Sequence, residues 1–236
     1  TTGANISLAL PLNAKFVNMD QFHAGPIIAE THVNPNEVLN SGYGIIVDLR
    51  GKRFVDEVNT YVIKAKACAQ NTIENKAWAI VDADCKVIGN MTHRFELLNT
   101  KYYKADSIEA LAKDINIDPA VLKKDVDDYN NALKNGTLKR MNPPCSYRQP
   151  HPIAKAPFFA IPYEGGMTAT FGGPLINTKA EVQTLEGHSI PGLYAAGNAA
   201  GGLFFRDYIG GAQLGGSTVF GRIAGREMAA RAKAAK

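Results

Sequence analysis

Cysteine is scarce in this sequence. The 236 residues include three cysteines, an odd number, and none of them shows CxxC spacing. Such a pattern argues against a zinc site and against a disulfide framework, and it favours free thiols in a reducing compartment. We therefore expect no metal site, and we expect the cytoplasm as the location, with the periplasm as the alternative.

Long apolar runs and a one-sided charge are lacking too. No apolar run approaches the roughly 18 residues of a membrane span, and the start TTGANISLALPLN lacks the basic region of a signal peptide. The net charge of +4 comes without a basic stripe interleaved with aromatics, so nucleic acid is not expected as a partner. With 45% hydrophobic and 20% charged residues, the chain resembles a globular protein of one large domain or two modest ones.

Short alternating and apolar stretches predict several strands. AKFVNMDQF (14–22) predicts one strand, AWAIVDAD (77–84) a buried strand, and GYGIIVDLRGKRFVDE (42–57) a β-hairpin that turns at Arg50 and Gly51. Further strands are predicted after a proline-rich connector, in the stretches ATFGGPLIN, AEVQTL and GLYAAG.

Helix signals lie between these strands. Residues 60–73 are compatible with a helix, Ser107 can cap a second one, and Asp118 before a proline opens a third that closes at Gly136. A last helix is expected from Ala212 onward. The fold class is therefore α/β or α+β, with a helical insertion at about 36–155.

The stretch GGLFFRDYIGGAQLGG (201–216) holds six glycines directly before the last helix. A glycine-rich loop at a helix N-terminus is typical of anion binding, yet this one has neither GxGxxG spacing nor a P-loop pattern. A glycine turn required only for packing is the simpler interpretation.

Three stretches together carry a family resemblance: GYGIIVDLRGKRFVDE, GGPLINTKAEVQTLEGHSIPGLYAAGNAAGG and IGGAQLGGSTVFGRIAG. Their order and spacing resemble the C-terminal part of the FAD-dependent fumarate reductase/succinate dehydrogenase flavoprotein superfamily. The resemblance implies a Rossmann-like FAD-binding domain (1–35 and 156–236) interrupted by an α+β capping domain (36–155). The family's first portion, with its GxGxxG motif, has no counterpart here, so the same longer protein or a separate chain would supply it.

The resemblance also implies cofactor-binding residues. The amides of the last helix would face the flavin, glycines before it would allow close approach, and YAAGN stands where the family has AAGE, with Asn198 in place of the acid. Ala4 replaces the aspartate of a TGDG element, so one expected contact is missing. The implied FAD contacts are Gly173, Gly197, Asn198, Gly210, Gly211, Ala212, Gln213 and Leu214.

The implied substrate side departs from the soluble fumarate reductases. Tyr61 and Tyr208 stand where those enzymes have arginines, and Ala169 stands where they have a histidine, so the usual dicarboxylate clamp is lost. The pattern is nearest to 3-ketosteroid dehydrogenases and tricarballylate dehydrogenase-like enzymes. His23 matches a family histidine, and Arg206 is placed to lower the pKa of Tyr208 or to bind a carboxylate.

Three functions follow from these matches, each with a small-molecule ligand. The first is an FAD-dependent oxidoreductase acting on a C–C or C=C bond beside a carbonyl or carboxylate, with Tyr208 and Tyr61 as acid/base and polarising groups. The second is a fumarate- or enoate-type reductase in which His23 and Arg206 bind a carboxylate. The third is a non-catalytic subunit or binding module, and ordinary packing roles for Tyr61 and His23 are the corresponding structural alternatives.

Overall fold

A computed structural model of the chain describes residues 2–40, 42–207 and 209–235, without the side chain of Asn40. Within these ranges the chain divides into two compact units. We call Ala24–Gly166 the central unit, and we call Thr1–His23 together with Met167–Lys236 the split unit. The predicted boundaries of the FAD-binding and capping domains stay a prediction, because the division into units assigns neither role.

Helices and short strands alternate along the chain. The strands are β1 (Phe16–Val17), β2 (Phe22–Pro26), β3 (Ile45–Asp48), β4 (Lys76–Val81), β5 (Tyr103–Ala105), β6 (Phe158–Thr170), β7 (Gly173–Pro174), β8 (Glu181–Gln183) and β9 (Ser189–Tyr194). The helices are α1 (Ala4–Ala9), α2 (Glu37–Asn40), α3 (Tyr61–Asn71), α4 (Ile88–Leu97), α5 (Ile108–Asp114), α6 (Pro119–Lys134) and α7 (Ala212–Ala234).

The main sheet has the strand order β2-β6-β4-β3, and β5 also pairs with β6. Strand β4 lies antiparallel between β3 and β6, with Ala79 opposite Ile46 on one side and Ile161 on the other. The predicted hairpin at 42–57 turns at Arg50 and Gly51, and its two arms meet at one antiparallel bridge, Val47 to Arg53. Strand β3 pairs along its length with β4 instead. The Arg53 N–H donates to the Asp125 carboxylate at 3.0 Å.

Successive residues of the central strands enter two hydrophobic clusters, as the period of two in a β-strand requires. Ile46 and Ala79 belong to one cluster, with Phe95 of α4, whereas Ile45 and Ile80 belong to the other, with residues of α5 and α6. The central unit therefore has helices packed on both faces of its sheet.

The predicted helix caps are confirmed. The Ser107 hydroxyl accepts the Ala110 N–H at 3.1 Å, and the Asp118 carboxylate accepts the Ala120 N–H at 2.8 Å. Each side chain satisfies a backbone donor that the first turn leaves unpaired.

The split unit has less regular structure. Strands β1 and β7 form one antiparallel pair, and β8 and β9 form another. The predicted strand at 14–22 is interrupted by a turn in which Asn18 has a φ of 53°. Helix α7 begins at Ala212, as predicted, and Ala224 is the one residue of its 23 that is recorded as buried within the described part of the chain.

Candidate cofactor and substrate site

The split unit contains a cavity of about 620 Å³. This volume lies in the range of small-molecule and cofactor sites. Its walls come from α1 and the residues before it, from the β1–β2 turn, from the end of β6, and from the turn after β9. The lining residues are Thr2, Gly3, Ala4, Asn5, Ile6, Met19, Gln21, Met167, Thr170, Gly172, Asn198 and Ala199.

Two glycines bring backbone against backbone beside this cavity. A Cβ added to Gly173 would lie 2.8 Å from the Ala199 carbonyl oxygen and 2.9 Å from the Gly201 nitrogen. A Cβ on Gly172 would lie 2.6 Å from the Asn18 carbonyl oxygen. No larger residue fits either position without backbone movement, so the wall here consists of main chain.

The turn at Gly197–Ala199 packs on the first part of α7. Gly197 has a φ of 61°, and a Cβ there would lie 2.8 Å from the Ser217 hydroxyl oxygen. The Asn198 side-chain oxygen accepts a hydrogen bond from the Gln213 amide nitrogen. Two predicted cofactor residues, Asn198 and Gln213, are therefore joined to each other.

The N-terminus of α7 has a glycine cap. Gly211 has a φ of 84°, and a Cβ on Gly210 or Gly211 would meet nothing within 4 Å among the described atoms. The Ala212 N–H donates to the Ile209 carbonyl at 3.0 Å. A helix cannot satisfy its own first amides, so Gln213 and Leu214 carry the donors and the positive dipole end of this helix.

His23 is buried in the split unit, with 6% of its surface exposed. Its Nδ1 lies 2.6 Å from the Thr168 hydroxyl oxygen, and that hydroxyl also donates to the His23 carbonyl at 3.1 Å. The ring stacks on Phe171 with centroids 5.9 Å apart, and Phe171 contacts Phe204 at 5.4 Å. Thus His23 has a fixed ring plane beside the glycine-rich loop.

Arg206 lies in that loop with a φ of 63°, a strained value for a residue with a side chain. Its N–H donates to the Gln21 side-chain oxygen at 3.1 Å, and the Asn18 side chain donates to the Phe204 carbonyl at 2.8 Å. Residues 16–23 therefore hold residues 201–207 in place, and His23 and Arg206 belong to one connected network. The predicted acid/base residue Tyr208 lies outside the described residues, so its role stays a prediction.

Tyr61 is the first residue of α3, in the central unit. The Thr60 hydroxyl caps this helix by accepting the Ile63 N–H at 3.3 Å, and the fully buried Lys64 ammonium donates to the Glu57 carbonyl at 3.2 Å. Burial lowers the pKa of Lys64 to about 8, against the opposing effect of the Glu57 carboxylate.

Arg53 and Glu57 form a buried ion pair. The guanidinium donates to both carboxylate oxygens, at 2.8 and 2.6 Å, and its other donors reach the Pro143 and Pro144 carbonyls. This buried pair fixes the segment that leads into α3 and hence the backbone position of Tyr61.

Sequence reasoning missed Thr168, Gln21 and Lys64. Thr168 contacts a residue 145 positions away and Gln21 one 185 positions away, so neither has a local signal. Lys64 lies in helix α3, where polar and apolar residues are mixed, so the pattern of apolar positions does not indicate that this lysine is buried.

The three cysteines are buried thiols. Burial raises the pKa of Cys145 to about 12, so this thiol stays protonated at neutral pH. In the described ranges, no group of three or more histidine, cysteine or carboxylate side chains is arranged to hold a metal ion. Across the same ranges, no helix combines the length and apolar character needed to cross a bilayer.

Comparison with known proteins places the chain in a family of flavin-binding proteins. Residues 1–219 match the FAD binding domain family, and the chain therefore belongs to it. Probable fumarate reductase Ifc3 of Shewanella frigidimarina (strain NCIMB 400) is 30% identical over 235 residues, 98% of this chain and 39% of that protein. The predicted superfamily and the α/β fold class are thus confirmed.

Two solved structures are similar over almost the whole chain. The open conformation of a flavocytochrome c3 fumarate reductase superposes with a TM-score of 0.72 at 29% identity, covering 95% of this chain and 39% of that one. The 3-ketosteroid delta1-dehydrogenase from Sterolibacterium denitrificans, with bound 1,4-androstadiene-3,17-dione, superposes with a TM-score of 0.78 at 25% identity, covering 98% and 47%. The chain thus spans about two fifths of the length of the curated relatives it matches.

The residues of the split unit fit part of an FAD molecule. A cavity of about 620 Å³ with main-chain glycine walls suits a flat ring system, and a helix N-terminus suits a ring edge that gains negative charge. The GxGxxG motif, which binds the pyrophosphate in dinucleotide-binding folds, is absent from the 236 residues.

Proposed function

We propose that the chain is the C-terminal part of an FAD-dependent oxidoreductase, with the split unit contributing to the FAD-binding domain and the central unit forming the cap. The cavity lined by Gly3, Gly172 and Asn198 is the observation that carries this proposal, since Asn198 is hydrogen-bonded to Gln213 in the first turn of α7. The predicted ranges are 1–35 with 156–236 for the FAD-binding domain and 36–155 for the cap, so the cap is the central unit without its ends at 24–35 and 156–166. The reaction is hydride transfer between flavin N5 and a C–C or C=C bond next to a carbonyl or carboxylate.

The bound flavin supplies the site that accepts or donates the hydride. The chain's own residues prepare its surroundings. The N–H groups of Gln213 and Leu214 stabilise negative charge at a ring edge, and the Asn198 amide, joined to Gln213, offers a polar contact without charge. The main chain at Gly172, which lines the cavity, would shield one side of a bound ring from water.

The proton chemistry is assigned to the two tyrosines. A phenol has an ordinary pKa of about 10, and a helix N-terminus or a nearby guanidinium lowers it toward the working range of an acid/base group. Tyr208 follows Arg206 by two residues and precedes α7, and Tyr61 begins α3 with the positive end of that helix beside it. Replacing Tyr208 with phenylalanine should slow substrate-dependent flavin reduction by roughly 100-fold or more.

A second candidate is a fumarate- or enoate-type reductase, favoured by the network that connects His23 with the Arg206 loop. In that case the imidazolium and guanidinium bind a substrate carboxylate. Arg206→Gln separates the two enzymes, since it should raise the KM of an acid substrate and leave that of a neutral ketone unchanged. Equal effects on both substrates would remove Arg206 from carboxylate binding.

The remaining portion of the FAD-binding domain is the proposed partner, as part of the same longer protein or as a separate chain. An exposed stripe on α7 supports this: Leu214, Thr218, Gly221, Gly225 and Met228 recur at helical spacing and all face outward. A Cβ on Gly221 or Gly225 would meet nothing among the described atoms, which leaves room for close approach by another backbone. We call this set the α7 stripe.

One experiment decides between an enzyme and a non-catalytic module, the function that Ala4 and Asn198 favour. The chain is purified alone and together with the remaining FAD-domain portion, taken from the same longer protein or, for a separate chain, from the product encoded immediately upstream, and the visible absorption spectrum of each preparation is recorded. Flavin absorbance in the pair alone indicates a split enzyme, and absorbance in the single chain indicates that its own residues suffice. A colourless pair contradicts the oxidoreductase proposal.

A further inference from the structure

Arg206 is the middle residue of a tight turn. The Asp207 N–H donates to the Phe205 carbonyl at 2.7 Å, which closes a hydrogen bond across three residues, and the φ of Arg206 is 63°. Such a bond with a positive φ at its middle residue defines the rarer, strained form of the γ-turn. We call residues 205–207 the γ-turn.

The composition of the surrounding loop makes this position unusual. Glycine adopts a positive φ without steric cost, and the stretch 201–216 holds six glycines, yet the strained position carries arginine. A strained conformation of a residue with a side chain persists only where its surroundings hold it, and such residues cluster at functional sites. A residue that holds the γ-turn therefore determines where the side chain at position 206 begins.

Two side chains of the β1–β2 turn hold this part of the loop. The Asn18 side-chain amide donates to the Phe204 carbonyl at 2.8 Å, and the Gln21 side-chain oxygen accepts the Arg206 N–H at 3.1 Å. The Gln21 amide nitrogen donates to the Asp20 carboxylate at 3.0 Å. Exchanging the oxygen and nitrogen of Gln21 would set donor against donor at Arg206 and acceptor against acceptor at Asp20, so only this orientation satisfies both contacts.

The side chain of Gln21 extends from a fixed main chain. The Gln21 N–H donates to the Asn18 carbonyl at 2.9 Å, and the Gln21 carbonyl accepts the Phe171 N–H at 3.1 Å. Gln21 also lines the cavity of about 620 Å³. One residue thus belongs to the wall of the proposed flavin cavity and holds the γ-turn.

We infer that Gln21 is a positioning residue for Arg206, whose main chain it holds in the strained γ-turn through its side-chain oxygen. The inference concerns the main chain of Arg206, and it rests on the proposed function only for the binding of a carboxylate by the side chain. Under that function, loss of the Gln21 oxygen releases the γ-turn, and the guanidinium loses its fixed starting point.

The test is the rate at which trypsin cleaves the full 236-residue chain after Arg206, followed by mass spectrometry of the fragments 1–206 and 207–236. A protease cuts a loop while it is open, so at low trypsin concentration the rate reports the open population. Gln21→Met keeps the length of the side chain and removes the amide oxygen, and we expect cleavage roughly 5-fold faster, as for one lost hydrogen bond. Cleavage after Arg140, in the central unit, is the internal control and should not change.

Two further variants make the result specific to the oxygen. Gln21→Glu keeps an acceptor at the same place and should be cleaved at the wild-type rate, whereas Gln21→Ala lacks both the amide oxygen and the weakly accepting methionine sulfur and should be cleaved faster. Cleavage of Gln21→Met or Gln21→Ala at the wild-type rate overturns the inference. Cleavage of Gln21→Glu as fast as that of Gln21→Met overturns it too, because the acceptor would then not matter.

Kinetics of the flavin-loaded protein show whether Gln21 acts through Arg206. Gln21→Met should raise the KM of an acid substrate in the wild-type chain and have little further effect in an Arg206→Gln chain, since neighbours in one network are not additive. Increases that add would overturn the positioning role. A flavin-loaded protein without activity would contradict the proposed function instead, and the trypsin rates, which need neither flavin nor turnover, decide separately whether Gln21 holds the γ-turn.

Discussion

The central unit and the split unit differ in how far their apolar side chains are buried. The central unit packs them into two clusters on the two faces of its sheet. The split unit has a small cluster around Ala9, Ala14 and Val182, while Ile209 is 83% exposed and Leu214 is 78% exposed. Large exposed apolar surface marks an interaction site more often than a free surface.

This difference separates a unit with a large core from one with a small core and exposed apolar side chains. A helix of 23 residues with little burial gains little from tertiary packing, and such packing provides most helical stability in proteins. The contrast agrees with the proposal that the split unit is completed by the remaining portion of the FAD-binding domain. Substitutions that affect one unit and leave the other unchanged test this proposal.

The largest effect is expected at the buried ion pair of the central unit. Glu57→Gln removes the charge that balances Arg53, and breaking a buried pair costs about 3 to 5 kcal/mol. Urea unfolding of the full chain, followed by circular dichroism, should show the transition of the central unit at a lower urea concentration. Asp128→Asn, which breaks an exposed pair with Lys124, should leave that transition in place. Equal behaviour of the two variants would contradict the structural role of Glu57.

The next effect concerns the glycine wall of the split unit. Gly173→Ala places a Cβ within 3 Å of two backbone atoms, and overpacking of this kind costs up to about 3 kcal/mol. The change should destabilise the split unit and reduce the cavity, which is measurable by unfolding and by flavin titration of the assembled protein. Gly89→Ala, at an open helical position of the central unit, is the control, and it should stabilise that unit by about 0.5 to 1 kcal/mol and leave flavin binding unchanged. If Gly173→Ala behaves like the control, the wall does not depend on close backbone contact.

Lys64 makes the stability of the central unit depend on pH. Its pKa is about 8 in the folded chain and about 10.5 when exposed, because burial disfavours the ammonium. Between these values the unfolded chain binds a proton that the folded chain does not, so the free energy of unfolding rises with pH in this window. Below pH 8 the full cost of burying the charge remains.

Lys64→Met removes this contribution. The difference in unfolding free energy between wild type and variant should rise by about 2 kcal/mol from pH 8 to pH 10 in favour of the wild type. Subtracting the variant cancels the buried thiols, Cys68 and Cys145, whose raised pKa values make stability fall as pH increases. A difference that does not change with pH would mean that Lys64 is not held in a burying environment.

Local chemistry was predictable from the sequence, and distant pairing was not. Ser107, Asp118 and the start of α7 were identified because a cap or a glycine acts within one turn of the chain. The pairing of β3 with β4 was not predictable, because the sequence pattern favours the adjacent segment, which β3 meets only at the bridge from Val47 to Arg53. The family resemblance selected Asn198, which lines the cavity, but the Thr168–His23 contact required the fold itself.

The smallest effect is an increase in the stability of the isolated chain combined with a decrease in its affinity for the remaining FAD-domain portion. The opposite signs make it the sharpest test of the difference between the two units. Gly221→Ala in the exposed middle of α7 should stabilise the isolated chain by about 0.5 to 1 kcal/mol, because alanine loses less backbone entropy in a helix. The same methyl group should weaken binding of the remaining FAD-domain portion if that portion approaches the α7 stripe closely. Calorimetric titration measures the second effect, with Gly89→Ala as the control that leaves binding unchanged. A Gly221→Ala chain that is stabilised and still binds with full affinity would show that the split unit is not completed at this face.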